Sequence, residues 1–380
     1  MIKEIFKFLA FILLGIIIGC KNPNNKIVSN NKTHINSIKY AKGFRIENYP
    51  DFKKLTINTS FQGDDNSSSY YLIPKSKVIP DSLTDKRIIR IPVERIVVTS
   101  TTHIPMLELL GKEKTLVGFP NTKYISSKKT RQLIDNNKIK ELGQEQNINT
   151  ELLIDLQPEL VVGFGVANTS KIFDHIQKMG IPVIFNSDWL EETPLGRAEW
   201  LRFFGALYDE DSLALEKFDE ISKRYNSLKS IVKNAKDKPT ILSGALFQDT
   251  WHLPAGNSYV SHFIADAGGN YLWKETKGTG SLSLSFESVL ERGAKADYWI
   301  APGYYSSKKV MQNDSPHYKE FLSFTKGNIY TFSNTKGETG GVLYYELATT
   351  RPDLVLQDLI KIFHQDILPD YQMTFFSKLE

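Results

Sequence analysis

Two glutamates stand at matching points of two similar segments that lie 136 residues apart in the chain. Glu151 follows Asn149 by two positions and Glu287 follows Ser285 by two, and each is followed by a predicted short helix and an apolar strand. Asn and Ser are typical helix caps, and a carboxylate in the first turn gains about 0.3 to 1 kcal/mol from the free N–H groups there. Capping alone would explain either glutamate. Their recurrence also predicts a pair of exposed carboxylates that docks a symmetric basic partner.

Cys20 is the only cysteine among 380 residues. It closes an apolar run, residues 8–18, that begins just after Lys3 and Lys7. This pattern is typical of a secretory signal peptide, here residues 1–20. A transmembrane anchor is the alternative, but it needs about 20 apolar residues and the run has about half of them. Because a lone thiol in an exported protein has no disulfide partner, Cys20 is predicted to serve another chemistry.

A third group of residues could bind a ligand. Parallel sheets bind ligands beyond the carboxyl ends of their strands, so the loops after the predicted strands should line a cleft. These loops are rich in aromatic and hydroxyl side chains, which suit a large planar or aromatic-rimmed ligand oriented by few polar groups. The candidates are Thr101, Thr102, His103, Phe164, Trp189, Arg197, Trp251, Tyr304 and Tyr305.

Some of these candidates have a second interpretation. Arg197 could bind an anionic ligand or a metal-bound carboxylate with its forked guanidinium, or it could form a salt bridge with Glu191 or Glu192. His103 could ligate iron or cobalt, or it could cap a helix. Trp251 could belong to the hydrophobic core.

The composition is that of a folded globular protein, with 24% charged and 41% hydrophobic residues. The net charge of +4 is spread along the chain without a Lys/Arg block, so nucleic acid is not expected as a partner. No Gly-x-Ser-x-Gly, Walker or His-Glu-x-x-His motif is present. Asn168 replaces the third glycine of a dinucleotide fingerprint that would start at Gly163. We therefore predict a protein that is not an enzyme and has no resident cofactor.

A zinc or manganese site would need three or four convergent His, Asp or Glu ligands. The seven histidines are scattered, with no pair at a metal-binding spacing, so no metal ligands are predicted. The fold could still gather His103, His252 and His262, which leaves a zinc- or manganese-binding protein open as an alternative.

From residue 88 onward, short apolar runs alternate with helical stretches, which predicts an α/β fold with parallel sheets. The roughly 360 residues after the signal peptide exceed what one hydrophobic core usually serves. We therefore predict two Rossmann-like lobes with mainly parallel sheets, residues 88–188 and 237–380, joined through a helical connector, residues 189–236.

The connector contains an apolar stripe with spacings of three and four residues, which predicts one long helix. A helix of about 23 residues spans roughly 35 Å, enough to bridge two lobes and to resist wide hinge bending. A surface helix of one large domain is the alternative. The stripe consists of Ala214, Phe218, Ile221, Tyr225, Leu228 and Val232.

Two segments precede the first lobe. Residues 21–42 are rich in Asn and Lys and poor in large apolar groups, which predicts a flexible tether. Residues 43–87 contain alternating and β-rich stretches around the turn sequence at 63–66, which predicts a small β-hairpin extension.

Together these features resemble the substrate-binding proteins of ABC importers, in the class with a rigid helical connector that carries ferric siderophores, haem or cobalamin. The resemblance covers roughly residues 87–368 and rests on residues 95–111, 149–162, the connector and 256–269. It implies that one glutamate per lobe pairs with arginines of the permease dimer, which works with its ATPase. By local motif these glutamates are Glu151 and Glu287.

Further motifs refine the resemblance. Residues 194–200 and 351–356 look like a Bacteroidota-type branch of the family. The segment ending at Cys20 resembles the lipobox of bacterial lipoproteins, which implies that the cysteine is acylated and becomes the N-terminus. Residues 21–24 lack the acidic run that resembles a surface-export signal in that phylum. The expected protein is a monomer in the periplasm, anchored to the membrane by its lipid.

The resemblance also bears on the ligand. In cobalamin-binding members an aromatic residue is expected just ahead of the second-lobe glutamate, whereas residues 278–282 here read Gly-Thr-Gly-Ser-Leu. Phe164 keeps an aromatic residue at the matching place in the first lobe. A ferric siderophore is therefore the first expectation, with a corrinoid or haem as the alternative.

Overall fold

The computed structural model describes residues 34–36, 38–59, 66–164, 170–235 and 237–380. Cys20, the signal peptide and most of the predicted tether lie outside these ranges. The described chain forms two α/β lobes with mostly parallel sheets, which a helical connector joins. This confirms the predicted fold class.

The N-terminal extension is larger than the predicted hairpin. It forms one sheet of five strands in the order in which they occur in the chain, with antiparallel pairs up to β4 and a parallel pair between β4 and β5. The sheet therefore reaches past residue 87, and its inner face joins the hydrophobic core of the first lobe. The strands are β1 (His34–Asn36), β2 (Phe44–Asn48), β3 (Lys53–Ile57), β4 (Ser68–Pro74) and β5 (Ile88–Ile91).

The first lobe contains a parallel sheet in the order β12-β11-β6-β7-β8. Its central strands are short runs of Ile, Leu and Val that are buried on both faces, as parallel strands between helices require. The strands are β6 (Ile96–Val98), β7 (Leu116–Phe119), β8 (Lys140–Glu141), β9 (Gly143–Gln144), β10 (Asn147–Ile148), β11 (Leu160–Phe164) and β12 (Val183–Asn186). The helices are α1 (His103–Leu109), α2 (Lys128–Asp135), α3 (Thr150–Leu156) and α4 (Ser170–Lys178).

The connector consists of α5 (Pro194–Ala198), α6 (Leu201–Leu207) and the long α7 (Asp211–Val232), which has 22 residues. All six residues of the predicted stripe are buried. Ala214 and Phe218 belong to the core of the first lobe, whereas Tyr225 and Leu228 belong to the core of the second. One helix is thus shared by two hydrophobic cores, which is the arrangement of a bridge between lobes.

The second lobe has a sheet in the order β16-β13-β18-β19-β20, parallel except for β20, and a separate antiparallel sheet of β14, β15 and β17. The strands are β13 (Thr240–Ser243), β14 (Ala245–Phe247), β15 (Thr250–Pro254), β16 (Asn270–Tyr271), β17 (Ser281–Leu284), β18 (Tyr298–Ile300), β19 (Ile329–Thr331) and β20 (Ser377–Lys378). The helices are α8 (Tyr259–Asp266), α9 (Phe286–Gly293), α10 (Lys308–Asp314), α11 (Leu322–Thr325), α12 (Leu343–Leu347) and α13 (Pro352–Phe363).

Two buried carboxylates of the connector region hold the chain where it leaves the predicted tether. Glu199 accepts hydrogen bonds from the backbone N–H groups of residues 39–41 at 2.6 to 3.0 Å. Glu191 accepts those of residues 42 and 43 at 2.7 to 3.0 Å. The ring of Tyr40 packs against the cores of both lobes. Residues 38–42, which composition assigned to a flexible tether, are therefore fixed to the connector.

Candidate functional site

The cleft between the lobes contains two adjoining chambers. The inner chamber has a volume of about 510 Å³, and the outer chamber has a volume of about 530 Å³. Phe164, at the end of β11, and Tyr345 of α12 line both chambers. Each volume falls within the range of about 300 to 1,000 Å³ typical of small-molecule sites.

Aromatic rings from both lobes line the inner chamber. Phe164 lies 6.3 Å from Trp189, measured between ring centroids. From the second lobe, Phe332 and Tyr344 stack at 4.2 Å with an angle of 13° between their planes. Such walls bind a flat or bulky apolar ligand by excluding water from large surfaces.

Arg197 lines the inner chamber and is held in place by three contacts. Its guanidinium lies 3.9 Å from the ring centroid of Tyr259 and donates hydrogen bonds to the carbonyl oxygens of Trp189 at 2.9 Å and Glu191 at 3.1 Å. The alternative salt bridge does not form, since the carboxylates of Glu191 and Glu192 bind the chain around residue 42 instead. The arginine is therefore a fixed cation at the ligand chamber.

Asp188 lies in the loop that follows β12 and also lines the inner chamber. Its side chain is 1% exposed, and its Oδ2 accepts no hydrogen bond from the described residues. Burial raises the pKa of Asp188 to about 6, although the positive charge of Arg197 and a hydrogen bond from Thr102 act in the opposite direction. The chamber thus holds an acceptor beside a cation.

The outer chamber has a comparable polar pair. Glu145 and Lys336 line it, together with Thr101 and Tyr304. The carboxylate of Glu145 accepts a hydrogen bond from the Thr99 hydroxyl at 2.7 Å, and burial raises its pKa.

The structure brings together six of the nine predicted cleft residues. Thr102, Phe164, Trp189 and Arg197 line the inner chamber, and Thr101, Phe164 and Tyr304 line the outer one. The Tyr304 hydroxyl lies 2.6 Å from that of Tyr345.

Three predicted residues lie elsewhere. Trp251 is a core residue, fully buried and stacked on Trp299 at 5.1 Å, because side chains alternate along β15 and its neighbour His252 faces the chamber. Tyr305 lines neither chamber, and its hydroxyl donates to Asp314.

His103 also lines neither chamber. It begins α1, is fully buried and has no hydrogen-bond partner for either ring nitrogen among the described residues. Burial lowers the pKa of His103 to about 3, so its imidazole is neutral near pH 7. In the described ranges, no three His, Cys, Asp or Glu side chains form a group that could hold a metal ion.

Sequence reasoning missed several residues of the chambers. Asp188 is adjacent to the predicted cleft residue Trp189, but nothing in the neighbouring sequence distinguishes the Asp188 carboxylate from that of a helix cap. Glu145 is distant in sequence from the predicted strand ends, whereas Lys336 lies five residues after β19, in a loop expected at the cleft, but is not among the predicted candidates. Tyr259 and Tyr345 stand on helices, where an aromatic residue usually indicates core.

The two predicted docking glutamates are exposed, in the first turns of α3 and α9. Their caps form as predicted. The side chain of Asn149 accepts a hydrogen bond from the backbone N–H of Leu152 at 3.0 Å, and that of Ser285 accepts one from Ser288 at 3.2 Å. Glu287 lies in a groove that Asp249 and Glu291 also line.

A second connection joins the lobes beside the outer chamber, and we call it the interlobe clasp, formed by residues 122–127 and 335–346. The carboxylate of Glu346 accepts hydrogen bonds from the backbone N–H groups of Ser126 and Ser127, the latter at 2.8 Å. The Ser126 hydroxyl donates to the carbonyl of Gly341 at 3.0 Å. A Cβ atom at Gly341 would lie 2.2 Å from the carbonyl oxygen of Tyr124, so the two segments of the clasp can pack together only with glycine at this position.

A two-lobed α/β protein with a helical connector and a ligand-sized cleft is the architecture of a binding protein, and comparison with known proteins agrees. The sequence pattern of the periplasmic binding protein family matches residues 96–333. The chain belongs to the periplasmic binding protein family. This confirms the predicted relationship to the substrate-binding proteins of ABC importers.

Individual relatives of this periplasmic binding protein differ in what is known of them. An uncharacterized lipoprotein of Methanocaldococcus jannaschii is 25% identical over 405 residues, covering 97% of this chain and 94% of the relative. A haem-binding protein from Roseiflexus has a similar structure, with a TM-score of 0.58 and 17% identity over 72% of this chain and 99% of its own. A possible iron-binding protein from Staphylococcus epidermidis gives a TM-score of 0.57 and 16% identity with the same coverage.

None of the helices in the described part of the chain combines the length and the apolar character that a membrane span requires.

The clasp predicts a pH dependence of stability. Burial, together with the charge of Glu108, raises the pKa of Glu346 from 4.5 to about 7, against the effect of the two N–H donors. Because the pKa is higher in the folded state, the contribution of Glu346 to the free energy of unfolding is complete below pH 4.5 and is lost as the pH rises through about 7. In the wild type we expect the loss of stability with rising pH to be on the order of 1 to 3 kcal/mol. In Glu346→Gln this pH-dependent loss should disappear.

The measurement is chemical denaturation of wild type and Glu346→Gln at about pH 5 and about pH 8. Glu338→Gln, an exposed change in the same loop, is the control. Equal pH dependence in wild type and Glu346→Gln would contradict the role of this carboxylate.

Proposed function

We propose that this protein is a membrane-anchored periplasmic binding protein that delivers a ferric siderophore to an ABC importer and is not an enzyme. The observation that carries the proposal is the cleft between the lobes, with an inner chamber lined mainly by apolar and aromatic side chains and an outer chamber where aromatic rings stand beside several polar groups. A siderophore complex is bulky, and its organic rim can contact such walls while a few polar groups orient it. The similarity to a possible iron-binding protein from Staphylococcus epidermidis supports iron as the cargo.

A corrinoid or haem is the second candidate. The stacked pair Phe332 and Tyr344 at the inner chamber favours it, since flat rings suit a flat tetrapyrrole. The similarity to the haem-binding protein from Roseiflexus supports the same candidate. A zinc or manganese cargo has less support, because His103, His252 and His262 do not come together as a ligand group.

The proposed anchor is a lipid on Cys20. Two observations support it: the lipoprotein relative aligns over 97% of this chain, and residues 39–43 are fixed to the connector by Glu191 and Glu199. The chain between Cys20 and residue 38 would then link the membrane directly to the helical bridge. A lipid-anchored protein held in this way stays close to the permease it serves.

Ligand binding can be followed through Trp189. Of the five tryptophans in the sequence, Trp200, Trp251, Trp273 and Trp299 are buried, and Trp189 lines the inner chamber. We expect a ferric trihydroxamate siderophore to quench tryptophan fluorescence saturably, at lower concentration than haemin or cobalamin. Trp189→Phe should remove the larger part of the quenching, and Trp273→Phe should retain it.

The result distinguishes the candidates. If haemin or cobalamin binds more tightly than the siderophore, the second candidate becomes the proposed cargo. Absence of saturable quenching by all three compounds would contradict the proposed function.

The docking role is tested by charge reversal. The double variant Glu151→Arg and Glu287→Arg should bind ligand as wild type does, because neither residue lines a chamber, but it should lose uptake by about tenfold or more in cells with the cognate permease. Glu216→Arg, on the exposed side of α7, controls for the change of surface charge. Uptake at the wild-type rate by the double variant would refute docking through these carboxylates.

A further inference from the structure

The charged residues of the cleft occur as matched pairs. Among the described residues that line the inner chamber, Asp188 is the acid and Arg197 is the base, and His252 adds an imidazole. In the outer chamber the corresponding pair is Glu145 and Lys336. With all four groups ionised, each chamber contributes one negative and one positive charge, and the cleft carries no excess of either sign.

The inner pair is also built so that neither member neutralises the other completely. Arg197 is fixed by two carbonyl groups and by the face of Tyr259, and it acts on Asp188 through its charge and not through a hydrogen bond. The Oδ2 atom of Asp188 is buried without a hydrogen-bond donor. Because this oxygen has almost no accessible surface, Asp188 acts on a ligand as a fixed negative charge in the chamber wall, which Arg197 offsets only through space.

We infer that the cargo is an uncharged or zwitterionic complex, which offers an acceptor to Arg197. This rests on the proposed function and narrows it. A ferric trihydroxamate is such a complex, since three singly charged hydroxamates balance the ferric ion, and cobalamin is also neutral. A ferric tris-catecholate keeps three negative charges and haemin keeps two propionates. Either would place a carboxylate of the cleft against like charge.

The test compares two pairs of probes that differ mainly in charge. One pair is a ferric trihydroxamate and a ferric tris-catecholate, and the other is cobalamin and haemin. Titration of the full chain, purified in detergent, at about pH 7.5 gives a dissociation constant for each probe. The neutral member of a pair should bind about tenfold or more tightly than the anionic member.

Removing the acids should change this preference in a defined direction. In Asp188→Asn with Glu145→Gln, two carboxylates become neutral amides of nearly the same shape, so the anionic probes should gain and the ratio should fall by about tenfold. In Lys336→Gln the ratio should rise. Circular dichroism and the thermal midpoint of each variant show whether it is folded.

The outcomes are separable. An anionic probe that binds wild type as tightly as its neutral partner, or a ratio that the double variant leaves unchanged, overturns the inference while leaving the transport role in place. Failure of all four probes to bind wild type overturns the proposed function itself, and the inference with it.

Discussion

One helix shared by two hydrophobic cores sets the geometry of the whole molecule. The first half of α7 buries Ala214 and Phe218 in the core of the first lobe, and its second half buries Tyr225 and Leu228 in the core of the second. Separating the lobes widely would expose one of these faces to water, at a cost of about 25 cal/mol for each Å² of apolar surface. The lobes are therefore coupled through the same packing that makes each of them stable.

Two further groups of contacts depend on that bridge. Glu191 and Glu199 of the connector region hold residues 39–43 against the connector. Asp353 is fully buried and pairs with Arg224 of α7 at 3.2 Å and with Arg351. The motif at residues 194–200 is thus part of the connector, and the motif at residues 351–356 is attached to it. The interlobe clasp adds a second point of contact beside the outer chamber. The lobes are thus tied at two places, the connector and the clasp.

The chemistry of the cleft follows from its walls. Aromatic rings supply a large apolar surface at the inner chamber, where Asp188 is buried and Arg197 is held by backbone carbonyl groups, whereas Lys336 at the outer chamber is exposed. Charges act more strongly on a ligand in a cavity that contains little water than in bulk solvent. They therefore influence which ligands bind, according to ligand charge, more than they increase the affinity for any one ligand. The same cleft that accepts a bulky cargo can therefore reject one with the wrong charge.

Local periodicity predicted the parts of this fold that depend on nearby residues. Short windows of sequence contain the patterns for three features: the apolar stripe of α7, the caps of α3 and α9, and the alternation of strand and helix. The parallel pairing of β4 with β5 depends on contacts that no window contains, so a hairpin was predicted where a five-stranded sheet forms.

At the site the same limit applies. Trp251 and His252 were separable only by knowing which face of β15 meets the cleft. The role of Asp188 becomes visible only when its burial and its missing hydrogen bond are known.

The central claim is that the connector and the clasp hold the lobes in one spacing, so that ligand binding needs little closure. Pulsed electron paramagnetic resonance tests it directly, with spin labels at Asp155→Cys and Lys295→Cys, one exposed site in each lobe, in a Cys20→Ala background. On saturation with whichever probe binds, the mean distance between labels should change by less than about 2 Å. A change well beyond that, or a broad distribution that narrows only when ligand is added, would contradict the claim.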